Sequence, residues 1–302
     1  MRRTRLSADT LHVGPHFSLS LQRTLRIPDD GNTWPLPPGL GNFPIRRVRD
    51  YWRTVPAEWR ETGGWFIPMY QREALWLAFR GHHWHPVAVK IGVGGVNALS
   101  GARFDTRLRA RPQQDYLVAP DQPWLDGIKA GDGIIRQFVA MPLGSGCTVE
   151  AQITGEETTG GIQVAVVEPK PGTFPERPPR AGRRHIADGP PHMACLSSPA
   201  MGLGAGGRME QKIYPDDYGI GTWDATRLTT CTIHIANSER WQAITQENVP
   251  PTPIDARTYT RFGLPWFALY DEHRADIPAP DALRAVRSVD EMSPDRAPVL
   301  HG

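Results

Sequence analysis

Gly202, Gly204, Gly206 and Gly207 fall within six residues and run directly into Arg208. Successive glycine amides can form a concave nest of N–H donors, and the planar arginine fork suits phosphate or carboxylate. The stretch is therefore a candidate anion-binding turn. Its spacing, Gly202-x-Gly204-x-x-Gly207, is that of a dinucleotide phosphate loop, but such a loop needs a strand before it and a helix of several turns after it. Here Ser197, Ser198 and Pro199 come before the glycines, and Pro215 ends any helix begun at Arg208 after about two turns. No Gly-Lys-Ser/Thr is present, which excludes the Walker form. A kinase reading fails as well, because Val87-Ala88-Val89-Lys90 precedes the glycines and no HRD loop exists. The context favours a structural turn with φ > 0 over a phosphate cradle.

The second candidate is His82-His83-Trp84-His85, the one histidine cluster in the chain. Neutral imidazole is a good ligand for zinc and similar ions, and on a strand His83 and His85 would share a face. They would supply half a metal site, completed by a distant carboxylate or by a histidine such as His234. The plainer reading is a polar turn, since the spacing supplies no third ligand. Cys147, Cys195 and Cys231 are too few and too scattered for a disulfide framework or a zinc knuckle. Cys147 falls on an apolar face, where a cysteine acts as a small hydrophobe. No cofactor is identified by these patterns.

The elements that must position these residues are short. A chain of 302 residues with 30 glycines and 30 prolines favours turns and strands over long helices. Ten tryptophans argue against disorder. The 34 basic and 32 acidic residues are interspersed, for a net charge of +2, so no basic field for nucleic acid exists. No apolar run reaches the roughly 20 residues of a membrane span. The basic start, Met1 to Arg5, is not followed by an apolar run of signal-peptide length, and the expected location is cytoplasmic.

Period-two alternation predicts strands at 17–27, 87–93, 115–118, 134–141, 148–154, 162–167 and 230–235. Helical patterns are read at 48–61, at 71–80, after the cap Asn237 and at 281–286. The expected organisation is an N-terminal arm (1–14), one β-rich domain (15–273) and a loose tail (274–302), with an irregular proline-rich loop at 169–199. That loop carries the basic run Arg180 to Arg184 together with His185, His192 and Cys195.

The phrases Gly202 to Met209 (GLGAGGRM), Gln211 to Asp216 (QKIYPD), Met69 to Trp76 (MYQREALW), Val139 to Leu143 (VAMPL) and Gly263 to Phe267 (GLPWF) resemble a family of uncharacterised bacterial and fungal proteins. The resemblance covers roughly His16 to Glu272. It implies no activity and brings no assigned catalytic or binding residues. Some members are labelled integral membrane proteins, which conflicts with the missing apolar span.

The fold class predicted is α+β and β-rich, with mostly antiparallel sheets as a sandwich or partly open barrel and a few short helices. Two functions follow. The first is a binding or interaction module using the glycine turn, the aromatic loops and the proline loop, with a protein or small-molecule partner. The second is an enzyme acting on an anionic small molecule, with or without a metal.

Overall fold

The computed structural model of the protein describes residues 4–177, 200–249 and 273–292. It is β-rich, built on one large, mainly antiparallel sheet that is not closed into a barrel, with a few short helices. β1 (Thr4–Ser7), β2 (Thr10–Val13) and β3 (Ser18–Thr24) form an antiparallel meander at the start. Short strands follow at β4 (Thr33–Trp34), β5 (Gly39–Asn42), β6 (Arg46–Arg47) and β7 (Trp65–Pro68). β8 (Ala74–Arg80), β9 (Val87–Val93), β10 (Val96–Asn97), β11 (Leu117–Ala119), β12 (Trp124–Leu125) and β13 (Gly127–Gly131) come next. The long strands are β14 (Ile134–Pro142), β15 (Ile162–Pro169), β16 (Ala200–Glu210) and β17 (Trp223–Ala236).

The backbone of the sheet runs β3, β8, β14, β16, β17, β15, β9, each antiparallel to the next. Two short parallel pairings are added, β4 on β16 and β7 on β17. Leu19, Leu21, Leu75, Leu77, Val89, Ile91, Val164, Val166, Ile233 and Ile235 share one central core cluster. These residues alternate along their strands, so burying one face of each fixes the register of the whole. A satellite core of Val48, Val55, Trp59, Phe66, Trp241 and Ile244 lies beneath α1 (Ala57–Thr62) and α3 (Ser238–Thr245). Asn237 caps α3 as the sequence predicts, its Oδ1 accepting from the Arg240 N–H at 2.7 Å.

Three expectations change. The segment 71–80, read as a helix, is strand β8: Arg72 takes a left-handed φ of 64°, and Ala74 to Arg80 pair residue for residue with β3. Long-range pairing overrides a marginal helical pattern. The segment 148–154, read as a strand, is α2 (Val149–Thr154). The Thr148 hydroxyl accepts from the Ala151 N–H at 3.0 Å, and Gly155 closes the helix in the left-handed conformation. The glycine-dense stretch is not a turn but the interior of β16, and none of Gly202, Gly204, Gly206 and Gly207 has a positive φ.

What those glycines supply is close approach. A Cβ on Gly207 would lie 2.3 Å from the Pro28 carbonyl oxygen, and one on Gly204 would lie 2.6 Å from Val289 and 2.9 Å from the Cys147 carbonyl oxygen. Val289 belongs to the last helix, α5 (Val289–Met292), which follows α4 (Asp281–Arg284). Within the segment read as a tail, Ile277, Leu283 and Val286 are buried in the main core, and Asp276 pairs with the fully buried Lys129 ammonium. Within the segment read as an arm, Leu11 and Val13 are buried too. Among the described residues no helix is long and apolar enough to cross a membrane. Arg180 to Arg184, His185, His192, Cys195 and the phrase Gly263 to Phe267 lie outside the described residues.

Candidate metal centre

The turn between β8 and β9 brings His85 inward, where its side chain is 1% exposed. The link between β2 and β3 brings His16 to the same place, with the ring centroids 3.6 Å apart. Between them stands Glu168, the penultimate residue of β15, itself 1% exposed. Its Oε2 lies 2.7 Å from His16 Nδ1 and 3.1 Å from His85 Nε2. Glu176, a few residues further on, offers a carboxylate whose oxygen lies within 4.8 Å of ligand atoms on both histidines.

The proton inventory of this cluster is informative. His85 Nδ1 lies 2.7 Å from the Pro175 carbonyl oxygen, which can only accept, so that nitrogen carries a proton. In a neutral ring the lone pair then sits on Nε2, facing the Glu168 carboxylate. Two acceptors 3.1 Å apart need a proton on one of them or a metal ion between them. His16 donates from Nδ1 to the same oxygen and so presents its Nε2 lone pair outward. A carboxylate on the far nitrogen is how a ligating or basic imidazole is held in one tautomer.

Among the described residues, Glu168 Oε1 and Thr229 Oγ1 are buried without a hydrogen bond. Both border Gly14, where a Cβ would come within 3.3 Å and 3.6 Å of them. Gly14 has a φ of 80° and leaves that spot open to the two oxygens. The surround is aromatic. Trp84 meets His16 edge-on at 5.9 Å, His82 stacks on Trp84 at 4.7 Å, and Phe174 lies 6.4 Å from His85. Burial, and then the nearby His16 and His85, push His82 below the ordinary histidine range. His82 is thereby kept neutral beside the cluster.

Of the histidines read from the sequence, only His85 enters this group. His83 is 78% exposed, with its Nδ1 3.5 Å from Asp121. His234 is stacked on Trp59 and hydrogen-bonded to the Gly63 carbonyl. His16, Glu168 and Glu176 are separated from His85 by so much chain that spacing could not join them. One signal was available: Glu168 directly follows the apolar run Val164 to Val167, where a carboxylate is rarely buried without a partner.

The glycine candidates occupy a different region. Arg208 is exposed on β16, directly opposite Arg136 on β14. Elsewhere the surface carries a groove of about 590 Å³ lined by Arg47, Arg49, Trp52, Gly63 and Gly64. Trp52 is 52% exposed there. No family model matches this chain, and no match was found among curated proteins or solved structures.

Proposed function

We propose that the protein binds a divalent transition-metal ion through His16, His85 and Glu176, with Glu168 orienting the His16 imidazole and the Pro175 carbonyl orienting that of His85, and that it acts on a small molecule through that ion. The observation carrying this reading is that the buried His85 and the half-buried His16 converge on one buried carboxylate, with His85 Nε2 facing it at 3.1 Å. Two imidazoles and a carboxylate are a donor set suited to zinc, iron or manganese. Three protein ligands leave coordination positions open, the mark of a catalytic rather than a structural site. A metal held there would act as a Lewis acid or lower the pKa of a bound water.

Metal analysis of protein purified without chelator tests the reading. About one equivalent is expected per chain, falling to background in the His16→Ala/His85→Ala double variant. Protein that takes up no zinc, manganese, iron or cobalt after reconstitution sinks it.

A second reading, a binding module, is favoured by the groove at Trp52. Two arginines and an exposed indole suit a planar anionic group. Calorimetry with 1-naphthoate on the parent and on Trp52→Ala distinguishes it from the metal centre, which that variant leaves intact.

A further inference from the structure

Two arginines face each other across the ladder of β14 and β16. Arg136 and Arg208 are direct partners in the antiparallel register, so their side chains leave the same face from Cβ atoms about 5 Å apart. Like charges opposed in this way are destabilising unless something lies between them. The Arg136 side chain is 9% exposed, and its Nη1 is buried with no hydrogen bond among the described residues.

Two carboxylates come near without satisfying it. Asp29 Oδ1 is 3.8 Å from Nη1, and Glu291 Oε2 is 3.6 Å from Nη2, both beyond hydrogen-bond reach. Glu291 is committed elsewhere. Its Oε2 accepts from the Ser288 N–H at 2.5 Å while Ser288 Oγ accepts from the Glu291 N–H at 3.0 Å, a reciprocal capping box that starts α5. Arg208 forms no ion pair among the described residues, and Arg26 and Arg72 both reach the neighbouring Asp290. The patch thus holds four guanidinium groups against Asp29, Asp290 and Glu291.

We propose that Arg136 and Arg208 form a binding site for a small, multiply charged oxyanion, a phosphate or a dicarboxylate, seated between the two guanidinium groups beside α5. A buried guanidinium lacking a hydrogen bond costs the full desolvation of its donor, and an oxyanion gives it the bidentate partner that its geometry fits. The site lies on the strand that carries the glycines, but the donors are side chains and not a nest of glycine amides. It is independent of the histidine cluster, with which it shares no residue.

The test is calorimetric titration of metal-stripped protein at low ionic strength, with inorganic phosphate in one arm and succinate in the other. At least one should bind, and the arms tell which source of oxyanion is preferred. Arg136→Gln and Arg208→Gln should each weaken binding about tenfold or more. Glu291→Gln should strengthen it, because glutamine still serves in a capping box while a competing negative charge is removed. Arg208 is exposed, so its variant remains informative even if Arg136→Gln fails to fold. Absence of binding by both anions in the parent and in Glu291→Gln, or binding unchanged in Arg208→Gln, overturns the proposal.

Discussion

Trp59 lies flat against His234, with ring centroids 4.7 Å apart and planes 13° apart. The His234 Nε2–H also donates to the Gly63 carbonyl oxygen at 2.9 Å, so the imidazole supports the floor of the groove at Trp52. Burial pushes its pKa down to about 4, against a smaller opposing effect of that hydrogen bond. A histidine with a lowered folded value binds fewer protons folded than unfolded between about pH 4 and 6.5. Its contribution to stability is therefore complete above pH 6.5 and is lost as the pH falls toward 4. His234→Gln should flatten that part of the profile, as read from urea midpoints between pH 4.5 and 7. An unchanged slope would show that the ring is accessible to protons in the folded chain.

Asp126 works in the opposite direction. It is buried among Trp124 and Gln211, the Gln211 amide donating to its Oδ2 at 3.0 Å, and desolvation pushes its carboxyl up to about 8. Folded Asp126 then holds a proton that the unfolded chain releases near pH 4, so this group makes stability fall as the pH rises from about 4 to 8. Below pH 6.5 the effect opposes that of His234. Between pH 6.5 and 8 His234 no longer contributes, and there the parent should lose more stability than Asp126→Asn does. Parallel profiles for the two proteins over this interval would refute a protonated Asp126.

The glycines of β16 make a packing prediction. Gly207→Ala places a methyl 2.3 Å from the Pro28 carbonyl oxygen, a backbone atom that cannot swing aside. The expected cost is about 1–3 kcal/mol from overpacking, with no contribution from φ. Arg208→Ala, at an exposed position of the same strand, should stay within about 0.5 kcal/mol of the parent. A chemical-denaturation series measures both. Equal effects would mean that the strand tolerates the added methyl and that the glycines answer some other need.

These contrasts show what the sequence made legible. The β-rich antiparallel class followed from alternation, and the segments 87–93, 134–141 and 162–167 became β9, β14 and β15 nearly as read. The helix after Asn237 was legible from its cap. The misassigned segments were short ones whose patterns fit both periods. Ala74, Leu75, Ala78 and Phe79 suit a helix, while Leu75, Leu77 and Phe79 suit a strand, and only the seven-residue ladder with β3 decides between them. At 148–154 the cap residue Thr148 and the closing Gly155 were visible but outweighed by alternation. Glycine density was visible too, yet a tight turn and a strand packed against backbone demand the same residue for different reasons. Half of the histidine pair was found, because His85 sits in a conspicuous cluster. His16 and Glu168 come together with it only through the order of strands, which local patterns do not encode.

Glu168 is where the two accounts of that cluster part. If a metal ion occupies it, Glu168 holds His16 from behind, and Glu168→Gln should lower metal affinity about 10- to 100-fold, as loss of an outer carboxylate does. In metal-free protein a proton joins His85 Nε2 to the Glu168 carboxyl. Exchanging the carboxyl for an amide disturbs that buried contact, at a cost of about 1–3 kcal/mol. Glu168→Gln should therefore be clearly less stable than the parent when both are stripped of metal. With saturating metal the gap should narrow, because the ion replaces the proton on Nε2. Metal titration followed by calorimetric competition gives the first quantity, and denaturation with and without metal gives the second. A variant that matches the parent in both would leave Glu168 as a buried acid without a part in the cluster, and with it the argument for a cation between the two histidines would fall.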